Sequence, residues 1–194
     1  GVTLDRRCCS GLDAVIFGKL AGRSASDYAA GAPDRSAHDK TVLEEALKLQ
    51  KVVAKLVESS SGENIYLLLH ELKNLMSDNV GVFRDEKRLA KALHQVAELR
   101  DRYKKAFIYG TCLRYCQELV TYSEFDSMLD IAEVIILGAL KRQETRGSHF
   151  RTDFPKRRDE EWVKHTLAEW TPDGPKISYR SVRIGKYQPT ERKY

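Results

Sequence analysis

The sequence predicts a mainly α protein: an antiparallel helical bundle, with one helix before it and a β-hairpin and extended tail after it. Three observations carry that prediction. From His38 to Leu140, apolar residues recur at spacings of three and four, the period of a helix that buries one face. The segments so marked are joined by short connections, which favour antiparallel neighbours. After Arg142 the helical period stops, and β-forming stretches flank the turn Thr171-Pro-Asp-Gly-Pro175. These shifts divide the chain into 1–30 (loop plus helix), 39–145 (helical bundle) and 146–194 (loop, hairpin and tail).

In the first thirty residues Leu12, Val15, Ile16, Phe17 and Leu20 give a helix apolar surface, while Gly18, Ala21, Gly22 and Ala25 keep one side thin. Ala29 to Asp39 reads as a linker, because Pro33 disfavours helical geometry in the residue before it. Asp39 or Thr41 can cap a helix carrying Leu43, Leu47, Val53, Leu56 and Val57, which Ser59 to Gly62 terminate. Glu63 to Met76 holds Ile65, Leu68, Leu69, Leu72, Leu75 and Met76 on one stripe. After Asp78-Asn-Val-Gly81 a longer helix bears Leu89, Leu93, Val96, Leu99 and Tyr103, with Lys, Arg and Glu opposite. Tyr109-Gly110 interrupts the pattern before a short stretch around Leu113, Cys116 and Val120. Phe125, Met128, Leu129, Ala132, Ile136 and Leu140 then mark a last helix. That helix is apolar nearly all round, with Ile131, Val134, Ile135 and Leu137 as well, which predicts a central position. Its Leu129, Ala132 and Ile136 are expected to face Leu93, Val96 and Leu99. Trp162 to Leu167 and Lys176 to Val182 form the hairpin arms, and Lys186 to Tyr194 is an extended basic tail.

Composition narrows the function classes. With 194 residues, 42% hydrophobic and 31% charged, the chain is of ordinary globular type and buries enough surface to fold without a disulfide or metal. The longest apolar run, Ile131 to Leu140, is broken by Glu133 and falls short of the roughly 20 residues of a membrane span. The first residues lack an apolar signal core, so neither a spanning nor a secreted protein is expected. Net charge is +5 and the pI about 9.0. The excess is local, at Lys156-Arg-Arg158 and in the tail, without the interleaved aromatic or groove-reading elements of nucleic-acid binders, so no nucleic-acid partner is expected. Cys8 and Cys9 are adjacent, and Cys112 and Cys116 would share a helix face. No zinc-ligand pattern is completed, so the expectation is no metal and reduced thiols in a cytosolic or matrix setting.

No glycine loop able to cradle phosphate follows a strand, His70-Glu71 is not continued into a zinc-protease motif, and Ser60-Ser-Gly62 makes no nucleophile elbow. His70 and His94 stand isolated. The dense region is Arg146 to Asp153, where Arg146, His149, Arg151 and Asp153 alternate with small or aromatic residues. An Arg–Asp pair and a His oriented by a carboxylate can serve chemistry. The same residues can equally form an ion-pair knot that pins a loop against the bundle, the simpler reading of such a cluster.

Around that cluster, Arg142-Gln-Glu-Thr-Arg-Gly-Ser-His-Phe-Arg-Thr-Asp-Phe-Pro155 and Arg158-Asp-Glu-Glu-Trp-Val-Lys-His-Thr-Leu167 resemble the C-terminal signature of succinate dehydrogenase and fumarate reductase flavoprotein subunits. Asn79-Val-Gly-Val-Phe-Arg-Asp85 resembles the family segment between the second and third helices. Val182-Arg-Ile-Gly-Lys-Tyr-Gln-Pro-Thr-Glu-Arg-Lys-Tyr194 resembles the family's tail, and favours the respiratory enzymes over L-aspartate oxidase. The resemblance implies the last third of a subunit that interconverts succinate and fumarate by hydride transfer with FAD and passes electrons to an iron-sulfur subunit. It also implies that residues 1–30 are a remnant of the flavin-binding domain, and that the helical region is an antiparallel three-helix bundle of the spectrin-repeat kind. Partners would be that domain and the iron-sulfur subunit, on the cytoplasmic (or mitochondrial matrix) face of a membrane touched only through other subunits.

Carried over residue by residue, the resemblance puts Ser10 and Gly11 at the edge of the flavin ring. Asp5 stands where the family has its substrate-binding Arg, and Arg7 and Cys8 where it has paired glycines. No catalytic residue is expected in this chain. Arg146, His149, Arg151 and Asp153 become structural residues at the domain junction, and the isolated chain is expected to be inactive and to bind no FAD. The rival reading is a non-catalytic paralogue that keeps the helical docking surface as an interaction or assembly module.

Overall fold

The protein is represented by a computed structural model that describes residues 10–32, 39–59, 61–109, 114–185 and 190, without the side chains of residues 10–13 and 39. Two compact units divide the chain, one ending at Val52 and the other beginning at Val53. In the first, α1 (Ser10–Gly31) is a continuous helix, and α2 (Asp39–Glu58) starts here and runs into the second unit. Val15, Phe17 and Leu20 of α1 are exposed, as are Leu43 and Leu47 of α2, although their spacing suits a buried stripe.

The second unit is built on three helices: α3 (Ile65–Val80), α4 (Glu86–Tyr103) and α5 (Gln117–Lys141). Their starts follow local chemistry. Asn64, in extended backbone, accepts the N–H groups of Tyr66 (2.8 Å) and Leu67 through Oδ1. Asp85 accepts the N–H of Arg88 at 2.9 Å. Each side chain thereby satisfies donors that the first helical turn leaves unpaired. The predicted stripes then make one core: Ile65, Leu68, Leu72 and Leu75 from α3, Leu89, Val96 and Leu99 from α4, Phe125, Leu129, Ala132 and Ile136 from α5. Burial of Leu129, Ala132 and Ile136 with Val96 and Leu99 matches the expected facing pair, with Leu93 only partly buried at its margin.

Two small parallel strand pairs tie the ends of this bundle. At one end β1 (Glu63–Asn64) pairs with β3 (Ala106–Phe107); at the other β2 (Phe83–Arg84) pairs with β4 (Phe150–Arg151). Since β1 precedes α3 and β3 follows α4, the start of α3 lies beside the end of α4. The second pair likewise puts the end of α5 beside the start of α4. The order is up, down, up. Gly62 makes the first pairing possible: a Cβ there would lie 2.1 Å from the Lys105 carbonyl oxygen, which instead accepts the N–H of Glu63 at 3.0 Å. A single turn, α6 (Asp159–Trp162), leads into the antiparallel hairpin β5 (Lys164–Glu169) and β6 (Lys176–Ser181), where the turn chemistry predicted it.

Three details differ from the sequence expectation. The stretch around Val120 is not separate; it is the first part of α5. Cys116 lies on no helix face, because Tyr115 takes a left-handed backbone (φ 60°) and the helix begins only at Gln117. On α5, Ile131 is 59% and Ile135 is 42% exposed. A helix touching two neighbours in a three-helix bundle has a third side left over, so apolar residues all round do not enclose it. Cys8, Cys9, Cys112 and most of the basic tail lie outside the described residues.

Candidate functional site

The residues singled out between Arg146 and Asp153 converge at the end of the bundle where α5 finishes and α4 begins. Arg151 is 1% exposed. Its guanidinium holds Asp153 by two bonds, Nε to Oδ1 and Nη2 to Oδ2, both 2.7 Å. The remaining nitrogen, Nη1, donates to the carbonyls of Ala139 (2.7 Å) and Leu140 (3.0 Å) near the C-terminus of α5. Asp153 in turn accepts the N–H of Glu86 at 3.0 Å, at the first residue of α4. One ion pair thus spans two helix ends, the cation at the negative end and the anion at the positive end, as the helix dipoles favour. The bonds from Arg151 hold the Asp153 carboxyl below the usual carboxylate range, with help from the N–H of Glu86.

His149 sits beside this pair. Its Nδ1 is 3.0 Å from Arg84 Nη1 and its Nε2 is 3.1 Å from the Arg142 carbonyl. A guanidinium only donates, so Nδ1 is the acceptor and the proton resides on Nε2, donating to that carbonyl. Burial pushes the imidazole below its ordinary pKa, and the charges of Arg84, Arg142 and Arg151 push the same way. The ring is a neutral two-ended bridge with both nitrogens engaged inside the chain. Arg84 also donates through Nε to the carbonyls of Val80 (2.9 Å) and Gly81 (2.8 Å), closing the end of α3. The Arg84 carbonyl accepts the N–H of Thr152 at 2.8 Å.

Arg146 belongs to an adjoining group whose centre the sequence reading missed. Glu144 is completely buried. It accepts Nε of Arg146 at 2.8 Å, Nε of Arg142 at 3.0 Å and the N–H of Arg158 at 3.0 Å. Arg146 also pairs with Asp159, and Arg142 reaches the carbonyls of Trp162 (2.7 Å) and Lys164 (3.2 Å), fastening the hairpin. Glu144 stands two residues from Arg142 and two from Arg146, and that spacing was the available signal. Arg84 lay within a quoted family segment but 65 residues from His149, so nothing local linked them.

The starts of the three bundle helices offer a flavin dinucleotide no pyrophosphate site. A pyrophosphate needs a helix N-terminus with free N–H groups. At α3 those are taken by Asn64, and at α4 by Asp85 and Asp153. At α5, Glu118 places an acid in the first turn. Ser10 and Gly11 open α1, with the Ser10 side chain outside the described set, as are Asp5, Arg6 and Arg7.

Comparison with known proteins agrees with the helical fold and the motif-bearing loop. The family model described as fumarate reductase flavoprotein C-term matches residues 69–194. A fumarate reductase flavoprotein subunit of Mycobacterium tuberculosis is 35% identical over 186 residues, 93% of this chain and 32% of that protein. The succinate dehydrogenase flavoprotein subunit of Bacillus subtilis is 33% identical over 187 residues, 94% of this chain and 32% of its own length. A solved Escherichia coli quinol fumarate reductase variant superposes with a TM-score of 0.81 at 29% identity, over 91% of this chain and 30% of that one. An adenylylsulfate reductase of Archaeoglobus fulgidus, at 22% identity and TM-score 0.68, shares the fold alone. The chain spans about a third of the length of the relatives it matches. By the match over residues 69–194, it belongs to the fumarate reductase flavoprotein C-terminal family.

Proposed function

We propose that this chain is the C-terminal part of a flavoprotein subunit that interconverts succinate and fumarate with FAD and delivers electrons to an iron-sulfur subunit. The observation that carries the reading is the family match over residues 69–194. In this reading the bundle is a rigid support, and Arg146, His149, Arg151 and Asp153 hold the loop that meets the flavin domain. The full engagement of both His149 nitrogens supports a structural part for that residue, because a general base needs a free acceptor facing its substrate. Ser10 and Gly11 would touch the edge of the flavin ring, and the pyrophosphate would be held by a domain outside these residues. The complex would sit peripherally on the inner face of a membrane, reached through other subunits. In the described residues no helix is long and apolar enough to cross one.

The resemblance bears on a second reading, a non-catalytic assembly module, because it sets Asp5, Arg7 and Cys8 against an anion-binding Arg and two glycines of the family. The trial is purification of the chain alone and after mixing with a separately expressed flavin domain of a relative. Alone it should be colourless and should reduce no dye with succinate. Restored activity on mixing supports the enzyme reading, and stable docking without activity supports the module. A yellow, succinate-oxidising chain by itself overturns both.

A further inference from the structure

Along the outer side of the bundle, α4, α5 and the hairpin turn enclose an open groove of about 780 Å³. Its floor is apolar, with Leu93, Ile131, Val134 and Ile135 from the helices. Trp170, 71% exposed, and Pro172 rise on the hairpin side. Ile131 and Ile135 of α5 are left exposed by the bundle, 59% and 42% respectively. Contiguous apolar surface of this kind with a polar rim marks an interaction site. The turn that forms one wall is fixed in place, with Thr171 Oγ1 donating to the Gly174 carbonyl at 2.6 Å and the Gly174 N–H returning to the Thr171 carbonyl at 3.0 Å.

The rim has a definite sign. Arg100 is the only cation lining the groove among the described residues, and it is already bound by Asp130 at 2.8 Å and Glu133 at 3.2 Å, with Asp126 at 3.6 Å. Asp101 is answered by Lys104, and Glu169 stands across the hairpin from Lys176. That leaves Asp126, Asp130 and Glu133 to share a single guanidinium, with Asp173 as a further acid on the hairpin side. On a chain of net charge +5, this strip is locally reversed. Nucleic acid, anionic lipid and dicarboxylates are repelled from it, whereas a cationic segment is drawn in.

We infer that the groove between α5 and the hairpin turn docks a basic amphipathic segment of a partner protein, one that sets apolar side chains on Ile131, Ile135 and Trp170 and Lys or Arg against Asp126, Asp130 and Asp173. The mode is a helix or extended segment laid in a groove, with apolar anchors giving affinity and rim charges giving orientation. The inference does not depend on the activity proposed above, since all of its residues lie on the bundle and hairpin.

The test uses the whole chain and three synthetic 14-residue probes: an amphipathic Leu/Lys peptide, its Leu/Glu counterpart, and a Lys/Ser peptide without apolar residues. The Leu/Lys peptide should bind with a shift in the fluorescence of Trp170, a signal lost in Trp170→Phe, and at least about tenfold more tightly than the other two. The double variant Ile131→Ser/Ile135→Ser should weaken it about tenfold or more with the melting temperature unchanged. Asp126→Asn/Asp130→Asn should weaken it and flatten its salt dependence. Equal binding of the Leu/Glu peptide overturns the inference. So does Leu/Lys binding that the serine variant leaves intact, which would be nonspecific charge attraction. A concentration-dependent dimer in sedimentation that the serine variant abolishes also overturns it, because the occupant is then a second copy of this chain.

Discussion

Asp153 and Arg151 show how much a single pair decides at the residue scale. Arg151 is buried with Asp153 as its charged partner, and the remaining bonds go to carbonyls. Asp153→Asn therefore leaves an uncompensated buried cation and should cost about 3–5 kcal/mol in urea unfolding. A loss below about 1 kcal/mol would mean that the carbonyls of α5 suffice for that guanidinium. His149 makes a second prediction, in pH. Its folded-state pKa lies below the unfolded value of about 6.5. Above that value both states are neutral and the bridge is intact. As pH falls through about 6.5, the unfolded chain takes up a proton that the folded chain resists, so stability declines until the folded pKa is passed. Melting temperature should fall between about pH 7 and 5 and fall less in His149→Gln, whose amide can replace both bonds. Parallel curves for the two proteins would show that His149 is not the titrating group. The carboxylates held low, such as Asp153 and Asp159, lose their contribution only in stronger acid, which keeps the two effects apart. The cluster itself was legible from the alternation of Arg, His and Asp. Its partners were less so, because Glu144 was passed over and Arg84 reaches His149 from the opposite end of α4 and α5 in sequence.

Elements read well where period and length agree. α3, α4 and α5 each present a stripe long enough to bury, and the residues on it form one core. Ile136, with no exposed surface, packs in that core, so Ile136→Ala should cost about 2–5 kcal/mol by denaturant titration. A cost under about 1 kcal/mol would place it outside the close-packed centre. The two-residue strands β1 to β4 were invisible, since two residues carry no periodicity and their partners lie about 40 and 65 positions away. The outer side of α5 was misjudged for a different reason. Hydrophobicity reports what a helix can bury, but the number of neighbours decides how much of it is covered.

For the molecule as a whole, every residue of the central core among the described residues lies beyond Val53. A chain trimmed to residues 53–194 should keep a single cooperative melting transition, checked by calorimetry against the full chain. A broad, non-cooperative transition would show that the earlier residues complete the core. By itself the sequence determined the helical class, the hairpin, and membership of the family through the Arg146 to Pro155 motif. These rest on local spacing, turn chemistry and contiguous residues, all of which act within a few turns of chain. Tertiary structure alone decided that Arg151 and Asp153 bridge the ends of two helices, that Glu144 is the buried centre for three arginines, and that the acidic groove stands on a basic chain. Each of those depends on groups far apart in sequence being brought within hydrogen-bond or Coulomb range, and only the packing of α3, α4 and α5 supplies that proximity.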